Sequence, residues 1–517
     1  MKTRRIIVNN DFYNIFQVEP PITEQDVFDA VDKIAGTQVD TLTMEVPSVL
    51  SEGAIDADLV KLYDHPEADA CIGNLAAFCA TGQDPFAMLL QRAHERGLEF
   101  LASLRLNDTH YKDHEFHPYV HQFYYDHWEE RVGAGGSRGG AEFDYRRSAV
   151  RAYFLGRVRD TLARYDVDGF ELNFTRNCKF FPLPHPDECA PLLTQFVRDV
   201  RKLLDEAGAK RGRRLVLSAM VPYSLHGCRK EGLDLPTWAR LGLIDLACFS
   251  SPFLAEFGRD LADARLKLPD VQLYGGCDRN LAYSMTQGGA GSRVVPMQTY
   301  RAMAMDYWQQ GADGIHLFNV MSWTINGARQ CAAARRFGGQ GETDGAAPLD
   351  YDRQLLNELG DPDVLQYLDK LYLVSSGPAT PDNPFAGVPF TVPAGGEVTV
   401  ALRLGDNLPA AVVEGRFDRA YVQTVSRDCS DYNNYTVKLN QTDLSRQNAF
   451  VAHANLPDGP LLFPEPGRRG ALPDVHFVRR HPVRAVDLHQ GVNFITVKSY
   501  KTALTITDVE LAICYVG

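Results

Sequence analysis

Residues 98–108 read LEFLASLRLND, an apolar run that ends in Arg105, Asn107 and Asp108. The segment before it, PFAMLLQRAHERG (85–97), has helical spacing and stops at a glycine. The segment at 148–165 again reads as an amphipathic helix. A buried strand between two helices is the unit of a parallel α/β sheet, whose strands are apolar throughout because helices cover them. The same unit recurs in both directions. Strands are predicted at 6–11, 39–46, 98–108, 167–174, 214–221, 243–250, 271–276 and 314–320, with helices at 24–35, 85–97, 148–165, 190–207 and 298–310. Eight such strands predict a (β/α)8 barrel, because an open doubly wound sheet seldom runs to eight regular units. No GxGxxG follows the first strand, so the dinucleotide fold has no signature here.

Around residue 375 the texture changes. Residues 373–396 are rich in proline and glycine and read as a linker. Runs at 398–404, 419–425, 435–440, 492–500 and 504–516 then suggest strands with no helix between them, the pattern of a β-sandwich. The expected organisation is a barrel over 1–372, a linker over 373–396 and a β-sandwich over 397–517.

A chain of 517 residues with 45% hydrophobic and 23% charged residues has ample material for two cores. Its formal charge of −13 argues against nucleic acid or anionic membrane as partner, since both call for a basic face. None of the ten cysteines forms a CxxC pair, so buried reduced thiols are expected rather than a disulfide framework or zinc ribbon. The start, MKTRRIIVNNDF, has too short an apolar run for a signal peptide, and a cytoplasmic location is expected.

Active sites of barrels form from the loops that follow the strands. Long insertions follow the strands at 47–84, 109–147, 175–189, 278–296 and 321–350. Polar residues gather at the strand ends: Asn9, Asn10 and Asp11 after the first strand, Arg105, Asn107, Asp108 and His110 after the third. Glu171, Asn173 and Arg176 accompany the fourth, Asp278 the seventh and Asn319 the eighth. Any one of these could be a turn or helix cap, and Arg105 and Arg176 could simply pair with Glu171 or Asp108. Together they suit an anionic sugar, because guanidinium groups match the two oxygens of a carboxylate while acids and a histidine move protons. His110, His114, His117, His121 and His127 crowd one loop, yet neither HxH on the first strand nor HExxH is present. Hydrogen bonding within the loop is the expectation for most of them, with no metal and no other cofactor. The run GAGGSRGG (133–140) lacks the strand-to-helix setting of a phosphate loop and reads as an exposed loop or lid.

The order Asn-Asp at the first strand end, Arg-x-Asn-Asp-x-His after the third, Arg after the fourth and Asn at the eighth resembles the inverting exo-sialidases of glycoside hydrolase family 156. The resemblance implies His110 as Brønsted acid and Asp11 as Brønsted base. It implies Arg105 and Arg176 as the clamp on the sialic acid carboxylate and Asn319 as a ligand of hydroxyls or the N-acyl group. Asn107, Asn173 and Glu171 are further substrate-binding candidates. The substrate implied is a sialylated glycan or sialoside, and the architecture is compatible with a homodimer. Inversion needs an acid and a base far enough apart to admit water, about 6.5–9.5 Å for two carboxyl groups. A histidine suits the acid because its reference pKa is about 6.5. Two other readings stand beside this one: a glycosidase with Glu171 as general acid and Asp278 as its partner, and a non-catalytic carbohydrate-binding protein.

Overall fold

The structure is a computed structural model that describes residues 3–47, 50–51, 54–55, 70–108, 120, 122–132, 142–182, 186–250, 256–278, 295–320, 349–427, 434–444, 450–453 and 476–517. The chain forms two compact units. The first comprises Met1–Pro252, Asp260–Asp278 and Ala312–Gly338, and the second Phe253–Arg259, Arg279–Gly311 and Gly339–Gly517. The second unit is thus discontinuous, and it takes in the helix Met297–Gln309. Among the described residues no helix is long and apolar enough to cross a membrane.

The first unit is a closed barrel of eight parallel strands: β1 (Ile6–Asn10), β2 (Val39–Glu45), β3 (Glu99–Arg105), β4 (Gly169–Asn173), β5 (Val216–Val221), β6 (Leu246–Phe249), β7 (Gln272–Cys277) and β8 (Gly314–Phe318). Each strand pairs with the next, and β8 closes on β1. All eight fall where the apolar runs predict them. The helices Glu24–Asp32 and Pro85–Glu95 start on side-chain caps: Thr23 with Asp26 forms a reciprocal capping box at the first, and Asp84 caps the second.

Alternate residues of each strand point into the lumen, where Ile7, Leu101, Met220, Leu246, Cys248, Tyr274 and Phe318 form one buried cluster. The register sorts the inward residues into levels. Glu171 lies opposite Ser218 and Ser218 opposite Leu246, so two strands further round Cys248 is level with Glu171. The same step from Cys248 reaches His316, and from His316 it reaches Thr43. Thr43, Glu171, Cys248 and His316 therefore share one level. Asn9, Ser103, Met220 and Gly276 lie above it, then Glu45, Asn173, Ser250 and Phe318, and at the rim Asp11, Arg105 and Asp278. The floor is polar as well: Arg4 donates to Glu99 and to Gln272, each at 2.8 Å, and Thr41 donates to Glu99 at 2.8 Å. The strands approach closely at Gly169, where an added Cβ would lie 2.4 Å from the Val216 carbonyl oxygen.

In the second unit, β9 (Lys370–Leu373), β12 (Phe417–Arg427), β14 (His476–Val483) and β16 (Leu504–Tyr515) build one antiparallel sheet, edged by Phe450–His453 and joined by β10 (Phe390–Val392). The other holds β11 (Glu397–Leu404), β15 (Gly491–Ser499) and β13 (Tyr435–Leu439), with Thr442–Asp443 at its edge. The sheets meet where the hydroxyls of Thr424 and Tyr435 lie 3.1 Å apart and the Arg479 guanidinium sits 4.3 Å from the centre of the Tyr435 ring.

Two details depart from the sequence expectation. The stretch 373–396 is built into the fold rather than hanging as a linker: Ser375–Ser376 pairs with Ala386–Val388, and β10 pairs with β16. The apolar side chains of Val388 and Val392 are buried there, which outweighs the prolines around them. A short helix, Leu408–Val413, interrupts the strands, capped by Asn407 with Pro409 in its first turn. The eight cysteines among the described residues are free thiols.

Candidate active site

Asp11 leaves β1 just before Phe12, whose φ of 59° is a strained conformation for an aromatic residue. The turn is held by Asn10, whose side-chain oxygen accepts the Phe12 N–H at 2.8 Å. It presents Asp11 to two donors across the mouth. Arg105, at the end of β3, bonds and ion-pairs with Asp11 Oδ1 through Nη2. Asn319, past the end of β8, donates from Nδ2 to Asp11 Oδ2 at 2.5 Å. Asn319 itself has a φ of 54°, a left-handed turn that asparagine tolerates, and its backbone N–H is tied to the Asn9 carbonyl at 3.0 Å.

Arg105 gathers further acids. Its Nη1 donates to Asp108 Oδ2 at 2.9 Å, and its Nε lies 3.8 Å from Glu45 Oε2. Arg176, from the loop after β4, is buried with its Nε 3.9 Å from Asp108 Oδ1. The two guanidinium groups thus share one carboxylate, and Asp11, Arg105, Arg176 and Asn319 converge on the barrel mouth. Burial and the neighbouring Arg105 cation push Arg176 down to about 10, against the pull of Asp108, Asp11 and Asp278.

Glu45, at the end of β2, was not singled out by the sequence, although an acid at a strand end was a visible signal. Its Oε1 accepts the backbone N–H of Arg105 at 3.0 Å. Burial pushes its carboxyl up to about 8, with Arg105 opposing, so it is protonated near neutral pH.

Three expected substrate ligands have other work. Asn107 is a loop staple: Nδ2 donates to the Lys179 carbonyl, Oδ1 accepts the Phe143 N–H, each at 2.8 Å, and its carbonyl accepts from Asn177. Asn173 turns the chain, its Oδ1 accepting from the N–H and hydroxyl of Thr175 at 3.1 and 2.9 Å. Its Nδ2 has no hydrogen-bond partner among the described residues, and Asn173 lies one level below the rim. Glu171 lies deeper, wholly buried, with Asn9 and Ser103 donating to its Oε1 at 2.8 and 2.9 Å. Those two side chains come from the level above and roof it over, which removes it from a sugar at the rim and speaks against a general-acid role.

His110 and its loop partners His114, His117 and His121 lie outside the described residues, as do 133–140. His127 is described; its Nδ1 lies 3.4 Å from Glu129 Oε1, and its ring packs on Phe123 with centroids 4.2 Å apart. That matches ordinary hydrogen bonding within a loop.

No protein-family model and no curated protein sequence matches the chain. Solved structures do, at low identity. An Anoxybacillus alpha-amylase is 12% identical over 100% of this chain and 99% of its own, with a TM-score of 0.39. The glycoside hydrolase domain of PgaB (BpsB) from Bordetella bronchiseptica is 11% identical over 66% of this chain and 100% of its own, with a TM-score of 0.38. A noncanonic maltogenic alpha-amylase, AmyB from Thermotoga neapolitana, is 10% identical over 95% and 98%, with a TM-score of 0.34. Likeness at this level carries nothing about chemistry, which has to come from the mouth itself.

Proposed function

We propose that the chain is a glycoside hydrolase acting on terminal sialic acid, an inverting exo-α-sialidase, with Asp11 as the base that activates water. Arg105 and Arg176 would clamp the substrate carboxylate, and Asn319 would fix Asp11 while binding the sugar. The observation that carries this reading is the convergence of Asp11 with the partly exposed Arg105 and the buried Arg176 in one connected group at the mouth. An oxocarbenium-like state beside a carboxylate needs cationic support on the carboxylate and an oriented acceptor for the water proton. His110 is the proposed acid, and it follows by two residues Asp108, which belongs to this group.

A second assignment of the acid is favoured by Glu45, whose carboxyl stays protonated near neutral pH within reach of Arg105. Leaving-group dependence separates the two. Loss of the true acid slows natural sialosides far more than activated aryl sialosides. If His110→Ala shows that pattern, the acid is His110; if Glu45→Gln shows it, the acid is Glu45. The reading as a whole is tested by proton NMR of the first sugar released from an α-sialoside. The β anomer is expected first. Initial release of the α anomer would refute inversion, and no release from any sialoside would refute the sialidase reading.

A further inference from the structure

Beneath the mouth, the level of Glu171 brings together a carboxylate, a thiol and an imidazole from alternate strands β4, β6 and β8. All three side chains are wholly buried, and one potential ligand atom from each lies within 4.8 Å of the others. Among the described residues neither ring nitrogen of His316 has a hydrogen-bond partner, and Glu171 Oε2, 3.6 Å from His316 Nε2, has none. Leaving a buried polar atom unsatisfied costs about 1–3 kcal/mol, so three of them in one buried level call for an occupant. Asn9 and Ser103 both donate to Glu171 Oε1 and leave Oε2 on the His316 side. Such bonds from neighbouring side chains are how proteins orient carboxylate ligands at metal centres.

We propose that Glu171, Cys248 and His316 bind one zinc-class divalent ion inside the barrel, apart from the catalytic mouth. The charges balance without help: a 2+ ion meets one carboxylate, one thiolate and a neutral imidazole. Forming the sulfur–zinc bond releases the thiol proton to solvent, and nothing is oxidised or reduced. Nitrogen, oxygen and sulfur donors together suit zinc or cobalt rather than magnesium or calcium. Around a tetrahedral ion with bonds of about 2.0–2.3 Å, ligand atoms stand roughly 3.5 Å apart, so modest side-chain rotations close the set. Thr43, the fourth member of the level, offers a neutral oxygen; its Oγ1 has no hydrogen-bond partner among the described residues. The ion would tie together three strands that are not neighbours. No local motif marks this site, because the three residues come from separate strands.

The test is cobalt reconstitution of the full chain after chelator treatment, with zinc content measured in parallel. The expected result is about one metal per chain and a thiolate-to-cobalt charge-transfer absorption in the near ultraviolet. Cys248→Ala should abolish that absorption, and His316→Gln should lower bound metal roughly tenfold or more. Should Cys248→Ala fail to fold, the wild-type spectrum still decides. A wild-type protein that takes up no stoichiometric metal overturns the proposal. So does bound cobalt without the thiolate band, which would place the ion elsewhere, or a band that persists in Cys248→Ala. Sialoside turnover plays no part in the readout, so failure here leaves the mouth assignment standing.

Discussion

Replacing Glu45 by glutamine isolates the cost of keeping an acid beside the Arg105 cluster. Glu45 is 7% exposed, and burial raises its carboxyl from 4.5 to about 8 in the fold. A raised folded value means that the stabilisation is fully present below about pH 4.5 and is lost as pH climbs through 8. At 1.36 kcal/mol per pH unit, the full span is worth about 5 kcal/mol, a ceiling that relaxation around Arg105 lowers. Glutamine has the shape of the protonated acid and keeps an oxygen for the Arg105 N–H, but it cannot ionise. Denaturant unfolding of both proteins at pH 5 and pH 8 is the assay. The variant should track the wild type at pH 5 and gain on it by several kcal/mol at pH 8. Identical pH dependence in the two proteins would show that Glu45 ionises freely in the fold and refute the reasoning.

Other consequences can be measured independently. Asp11→Asn should fold normally yet lose about 100- to 10,000-fold in kcat on sialosides, as expected for a proton-transfer group; steady-state kinetics with circular dichroism would check it. Arg176→Met removes a charge-assisted contact of about 1.5–3 kcal/mol, so kcat/KM on sialosides should fall about 10- to 150-fold. An equal fall in binding of the methyl ester of the substrate would contradict the carboxylate assignment. In the second unit, Lys370 lies 2.9 Å from Asp406, which also accepts from Tyr372 and Tyr515 at 2.5 Å each. Lys370→Met strands that buried acid and should cost about 3–5 kcal/mol in urea unfolding. Gly169→Ala forces a Cβ onto the β5 backbone and should lower the melting temperature by several degrees or prevent folding.

The barrel was legible because its strands are buried on both faces and so read as apolar runs, while helix periodicity and glycine stops mark the intervals. The mouth was legible only in outline. Strand ends identify which residues reach it, as they did for Asp11, Arg105, Arg176 and Asn319. They do not reveal how far down the lumen a side chain sits. Glu171 and Asn173 are two residues apart on one strand, yet one lies under a roof of Asn9 and Ser103 and the other just beneath the rim. Register with neighbouring strands sets that depth, and register depends on the closed sheet rather than on any local pattern. Asn107 was misread for a similar reason, since its partners at Lys179 and Phe143 are distant in the chain. The 373–396 stretch looked like a linker because proline and glycine punctuate it, whereas the burial of Val388 and Val392 was set by strands that come later in the chain.

The most direct test of the mouth is a crystal structure of the protein soaked with sialic acid. The sugar carboxylate should lie against Arg105 and Arg176, with Asp11 and Asn319 on the sugar ring. A bound sugar whose carboxylate points to solvent, or one held away from these four residues, would contradict the assignment.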